Sequence, residues 1–195
     1  AASLARELFP KLNLDLMHGL PQQSQNDALD DIQQAIALEP DHLSWYQLTI
    51  EPNTEFHAKP PQLPVDETLW SIQEQGVSLI QDAGFNQYEI SAYAKGDNRS
   101  QHNKNYWEFG DYLGIGAGAH GKVTLLSEQT IIRRWKQKQP KSYMQPTTRL
   151  VGHEAIQKED LAFEFMLNAL RLYDGVPTSL LTDRTGLSKD DIKPA

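Results

Sequence analysis

The sequence predicts an α/β fold built from parallel β-α-β units, on three observations. Short runs with strand alternation are separated by helix-length amphipathic segments over residues 12–94, Gly and Pro mark the joins, and this alternation stops near residue 96. Parallel strands joined by helices put their ligand-facing loops at the carboxyl ends of the strands. Asp15, Thr49 with Glu51, and Ser91 with Tyr93 are predicted at those ends.

Taken in order, residues 4–9, L-A-R-E-L-F, read as the end of a helix, so the chain is expected to start mid-fold. In residues 12–17 leucines alternate with Asn13 and Asp15, a strand that Gly19 and Pro21 terminate. Apolar side chains at 28, 29, 32, 35, 36 and 38 follow helical spacing, with Ser24 as N-cap, Asp27 as first-turn acid and Pro40 as the stop. The stretch H-L-S-W-Y-Q-L-T-I is rich in β-branched and aromatic residues and predicts a second strand, with Trp45 and Tyr46 on opposite faces. A Pro-rich loop over 51–64 precedes a helix from Glu67 to Ala83, which Gly84 stops, and Q-Y-E-I-S-A-Y-A makes a third strand. Next comes S-Q-H-N-K-N-Y-W (100–107), whose flanking Gly and Asp residues argue for a loop. A short apolar strand D-Y-L-G-I-G and a hairpin through K-V-T-L-L-S-E-Q-T-I-I-R-R-W follow. From Lys158 an amphipathic helix runs into M-L-N-A-L-R-L, read as core, and two short helices close the chain. A boundary near residues 140–155 divides it into 1–150 and a small, mostly helical 151–195; both termini are expected to be cuts through a larger protein.

Composition excludes several classes. Apolar content of 39% and charged content of 23% are ordinary for a soluble globular protein, and no apolar run approaches the roughly 18 residues of a spanning helix. The first ten residues lack a leader or transit pattern, so membrane insertion is not expected and a cytoplasmic location is. A net charge of -8 argues against nucleic acid as a partner, because phosphate binding needs surplus Lys and Arg. With no cysteine, this chain has no disulfide, thiolate nucleophile, Cys-ligated zinc or ordinary iron–sulfur ligand of its own. The six histidines lack the paired spacing of a helical zinc site.

Four motifs carry chemistry. Asp15, just before a Gly-Leu-Pro turn, can accept hydrogen bonds from ligand hydroxyls such as a ribose diol, or serve as a cap or salt bridge at the rim. G-A-G-A-H-G (116–121) matches the dinucleotide fingerprint by letter only, since K-V-T-L-L continues as a strand and no acid stands where the ribose would need it. Its glycines read as allowing close backbone approach, and His120 as a satisfied interior imidazole in preference to a ligand contact. R-R-W-K-Q-K-Q-P-K (133–141) could grip propionates or phosphate, but reads first as a solvated hairpin edge. In H-N-K-N-Y-W an exposed imidazole beside aromatic rings has the chemistry of an axial haem ligand under ring cover. The same residues also describe a structural loop held down by Tyr106 and Trp107.

The ordered set N-L-D-L-M-H-G-L-P, W-Y-Q-L-T-I-E-P-N-T, Y-E-I-S-A-Y-A, Q-H-N-K-N-Y-W, D-Y-L-G-I-G-A-G-A-H-G and M-L-N-A-L-R-L closely resembles the HemW family of radical-SAM haem chaperones. Its members are often labelled oxygen-independent coproporphyrinogen III oxidase-like proteins. The resemblance covers nearly the whole chain. It implies the later part of a partial (β/α)6 radical-SAM, TIM-like barrel followed by a C-terminal region, with S-adenosylmethionine, a [4Fe–4S] cluster and haem as cofactors, and haem-accepting proteins as partners. By motif, Asp15 resembles the acid that holds the adenosylmethionine ribose, and the backbone around Thr49 resembles part of the adenine contact. His102 resembles the haem ligand, binding the iron, with Tyr106 and Trp107 alongside. The family's C-x-x-x-C-x-x-C motif is missing, so this chain is expected to be a fragment without radical chemistry of its own. The alternative implied by the shared barrel motifs is an oxygen-independent coproporphyrinogen III oxidase, which decarboxylates two propionates oxidatively. A further expectation is a fragment that keeps the fold without activity, its first strand an exposed edge prone to self-association.

Overall fold

The computed structural model describes residues 1–192. Its first unit, Ala1–Ser100, is built around one sheet. Helix α1 (Ala2–Leu8) is joined to it by the Arg6–Asp41 ion pair at 2.5 Å. The Asp41 carboxylate also accepts the Leu12 amide at 2.9 Å, and these contacts hold its carboxyl below the usual range. Strand β1 (Asn13–His18) leads to α2 (Gln25–Ala37). Ser24 starts that helix with a capping box: its Oγ accepts the Asp27 amide while the Asp27 carboxylate accepts the Ser24 amide. Strand β2 (His42–Gln47) pairs with β1 in parallel, setting Asp15 level with Ser44. The Pro-rich loop contains one helical turn, α3 (Glu55–Ala58), capped by Thr54, before α4 (Asp66–Asp82). Leu43 and Trp45 of β2 pack with Ile32, Ile72 and Ile80 of α2 and α4 to make the core. At Gly76 a Cβ would overlap the Trp45 indole, so only glycine lets helix and sheet approach this closely.

The predicted third strand is two strands. β3 (Asn86–Glu89) and β4 (Ala92–Ala94) form a tight antiparallel hairpin, and the sheet order is β1-β2-β4-β3, with β4 antiparallel to β2. The Ser91 amide donates to Glu89 Oε1 at 3.1 Å and the Ser91 carbonyl accepts from the Trp45 amide at 2.8 Å, fixing the reversal. A register shift between Gln87 and Glu89 accompanies it, and apolar and aromatic residues on both sides of the turn hid the break. As a result Tyr93 is the middle residue of the three-residue β4 and packs in the core. Asp15 is the third of six strand residues, short of the strand's mouth.

The second unit begins at Gln101. Residues 101–107, predicted as a loop, form α5 (Gln101–Trp107). They contain no Gly, Pro or β-branched residue, and Lys104 pairs with Glu108 one turn on at 3.2 Å. The helix stops where Phe109 takes φ 55°, and the Gly110 amide returns to the Asn105 carbonyl at 2.7 Å. The expected strand D-Y-L-G-I-G is reduced to a single bridge between Tyr112 and Lys122. The hairpin forms as predicted from β5 (His120–Leu125) and β6 (Thr130–Lys136). After α6 (Pro140–Tyr143) and a 3₁₀ turn at Pro146–Thr148, β7 (Leu150–Ala155) pairs with β6. β6 is therefore the central strand, which corrects the reading of R-R-W as a hairpin edge; Arg133 instead makes a two-pronged ion pair with Glu164 at 2.5 and 2.8 Å. Helices α7 (Lys158–Ala169) and α8 (Ser179–Thr185) and a 3₁₀ turn at Lys189–Asp191 complete the unit over a core of Phe109, Ile131, Leu161, Phe165, Leu181 and Leu187. M-L-N-A-L-R-L is core on one side only: Ala169 and Leu172 are buried while Leu167 and Leu170 are exposed. The division into 1–150 and 151–195 stays a proposal for where the C-terminal region begins, distinct from the change of compact unit at Ser100.

Candidate functional site

Alternation on the first sheet turns Leu43 and Trp45 toward the helices, so Asn13, Asp15, His42, Ser44 and Tyr46 belong to the opposite face. Trp45 is 3% exposed and Tyr46 37%, as two faces require. On that face a chain of hydrogen bonds runs toward Asp15. The Ser100 amide donates to the Tyr88 hydroxyl (3.1 Å), which lies 2.8 Å from His42 Nε2. His42 Nδ1 lies 2.6 Å from Asn13 Oδ1, and Asn13 Nδ2 donates to Asp15 Oδ1 (2.8 Å). Burial lowers the His42 pKa, with the Asp15 charge opposing, and raises that of Tyr88. A neutral imidazole and a protonated phenol give one consistent direction: Tyr88 O–H donates to Nε2 and Nδ1–H donates to Asn13. One oxygen of Asp15 is held in this way on an exposed residue, able to accept ligand hydroxyls. The sequence reading missed His42, Tyr88 and Asn13; the signal it offered was the polar residues alternating with leucine over 12–17.

Thr49 lies beyond β2 and is exposed, its hydroxyl donating to the Gln47 carbonyl at 3.4 Å. No hydrogen bond joins it to Asp15 among the described residues. In the second unit, α5 carries His102 exposed, with Tyr106 one turn later edge-on to it at 4.9 Å. Tyr106 in turn packs at 4.4 Å against Tyr112 with the rings tilted by 46°, so a second ring supports the one beside the imidazole. Trp107 is covered differently: the Arg171 guanidinium sits 4.2 Å over its ring. The helix therefore presents His102 and Tyr106 together, while one face of the Trp107 indole is already occupied.

In the glycine-rich loop, a Cβ at Gly114 would overlap the His120 backbone, the close approach the sequence implied. His120 itself is exposed, which corrects its reading as an interior imidazole. The buried cation nearby is Lys122, whose Nζ donates to the Phe109 carbonyl at 2.8 Å and lies 3.4 Å over the Phe109 ring; burial pulls its pKa down to about 8. Among the described residues no group of three or more His, Asp or Glu side chains is placed to hold a metal ion, and no helix is long and apolar enough to cross a membrane.

This architecture is shared with a solved structure, coproporphyrinogen III oxidase (HemN) from Escherichia coli, a radical SAM enzyme. The match has a TM-score of 0.71 over 95% of this chain and 46% of that one, at 20% identity, so this chain has the fold of the corresponding part of that protein. Residues 156–195 match the model of the HemN C-terminal domain. In sequence the chain is 52% identical over its whole length to the heme chaperone HemW of Escherichia coli, and 53% identical over 93% of its length to that of Haemophilus influenzae. A mouse protein, radical S-adenosyl methionine domain-containing protein 1, mitochondrial, is 35% identical over 95% of the chain. The chain belongs to the HemW family. It spans about half the length of these relatives, 51%, 47% and 47% respectively.

Proposed function

We propose that this chain is the haem-contacting half of a haem chaperone that passes haem to haem-requiring proteins. The observation that carries the reading is α5, where the H-N-K-N-Y-W motif leaves His102 exposed with Tyr106 and Tyr112 behind it. A neutral imidazole supplies an axial ligand to haem iron. His102 is the iron ligand in this reading, Tyr106 lies against the porphyrin, and Trp107, under Arg171, borders the site. On the first unit, Asp15 holds the ribose of S-adenosylmethionine, oriented by Asn13, and the backbone at Thr49 borders the adenine. With no cysteine, the chain offers no thiolate to a [4Fe–4S] cluster, so that part of the family's chemistry needs ligands from elsewhere. We also place the protein in the cytoplasm, with neither nucleic acid nor a membrane-embedded state in its work.

Oxidative decarboxylation of a coproporphyrinogen has the fold likeness to HemN in its favour, whereas the sequence similarity runs to chaperones. A haem titration followed by Soret absorbance tests the reading. Saturable binding by the chain that His102→Ala abolishes is expected; equal binding by both would remove His102 from the site, and its absence in both would remove haem contact from this half.

A further inference from the structure

His42 and Tyr88 are polar side chains sunk in the first unit, 4% and 1% exposed. Groups of this kind cost stability unless their hydrogen bonds are made. Strand register brings them together. On one side Asn13 of β1 stands level with His42 and Asp15 with Ser44; on the other, Ala94 and Ala92 of β4 stand level with His42 and Ser44. The two small alanine side chains leave room for the Tyr88 ring to reach His42 from β3, edge-on at 5.6 Å.

The bonds that follow run one way. The Ser100 amide donates to Tyr88, Tyr88 to His42, His42 to Asn13 and Asn13 to Asp15 Oδ1. Reversing the relay would turn the Asn13 carbonyl onto the carboxylate, and the Asp15 charge opposes that. Ser44 Oγ donates to the same Asn13 oxygen at 3.4 Å, so turning the amide would forfeit two donors at once. Satisfying the two buried rings requires nothing beyond that oxygen. The further bond to Asp15 lies at the exposed end, and it engages one carboxylate oxygen only: Oδ2 has no hydrogen-bond partner among the described residues.

We propose that His42 and Tyr88 are positioning residues for Asp15, holding it through Asn13 so that Oδ2 is left open to accept one hydroxyl of a ribose diol. The proposal rests on the reading of Asp15 as the ribose ligand and is independent of the haem reading, which concerns the second unit. Neither ring needs to touch the ligand. Hydrogen bonds aligned in series polarise one another, so removing a donor at the buried end is felt at the carboxylate. An acceptor already held in place also binds more tightly, because less ordering remains to be done when the ligand arrives.

Adenosine is the probe, titrated into the ¹⁵N-labelled chain while the β1 amide signals are followed by NMR, with 2′-deoxyadenosine and 3′-deoxyadenosine beside it. Saturable adenosine binding is expected, weaker for the analogue that lacks the hydroxyl held by Asp15. Tyr88→Phe keeps the ring and removes the donor; it should weaken adenosine about three- to tenfold and that analogue hardly at all. Asn13→Ala cuts the relay at its exposed end, clear of the core, and should give the same pattern. Unchanged adenosine affinity in both variants, or equal losses for all three probes as a merely structural role would give, would overturn the proposal and leave the ribose reading standing. No saturation with the unaltered chain, or equal binding by Asp15→Ala, would remove both. The ring ¹⁵N signals of His42 in the unliganded chain test the direction without any variant: the proton is expected on Nδ1, and a proton on Nε2 alone would overturn the proposal, since the relay would then point away from Asp15.

Discussion

His18 and Gly76 show how much single residues decide in the first unit. The free imidazole titrates near 6.5 and the folded one near 4, so the unfolded chain takes up the proton first as pH falls. The stability due to the neutral form is therefore complete above pH 6.5 and is lost progressively between 6.5 and 4, by up to roughly 3 kcal/mol. Buried His42, also lowered, acts in the same direction. Urea unfolding at pH 7.5, 5.5 and 4.5 should show the decline, and His18→Phe should flatten it; an equal slope in the variant would assign the decline to other groups. At Gly76 the effect is steric. Gly76→Ala forces a methyl into the Trp45 indole and should cost about 1–3 kcal/mol, read as a lower urea midpoint, despite alanine's better helix propensity. Neither effect is visible in the sequence, where Gly76 reads as a weak helix residue and His18 as one more imidazole.

Helices were the legible elements, because their apolar spacing and caps are local. Ser24 and Asp27 identified the start of α2, and both halves of the capping box form. Ser24→Ala should lower the unfolding midpoint by the equivalent of about 1 kcal/mol with an unchanged m-value; a change in m would mean that more than the cap was lost. The strands around Ile90 were misread because Q-Y-E-I-S-A-Y-A carries strand-forming residues through its turn, and the reversal depends on bonds from Ser91 to Glu89 and to distant Trp45. α5 was misread for a related reason. Gly96 and Asp111 signal a break, but they lie outside the seven residues that form the helix. β7 offered no alternation to detect, since nearly all its residues are exposed and pairing with β6 alone defines it.

For the molecule as a whole, β1 and β3 are the two edges of the first sheet, and β1 carries Met17 44% exposed. An uncovered edge with apolar side chains recruits further strands, so light scattering should give a mass above the 22.1 kDa of one chain, rising with concentration. Met17→Lys should shift it back toward the monomer; a clean monomer for the unmodified chain would show that the edge is protected. The sequence by itself determined the α/β class, the long helices α2, α4 and α7, the family and the motifs around Asp15 and His102, because alternation, capping and motif spacing are written along the chain. Only the tertiary structure decided that β4 turns back between β2 and β3, that Tyr88, His42 and Asn13 form a directed relay onto Asp15, and that Arg171 covers Trp107. These depend on contacts between residues up to 64 positions apart, as Trp107 and Arg171 are. Local pattern carries no record of such distances, and burial and pairing are settled only when the segments meet.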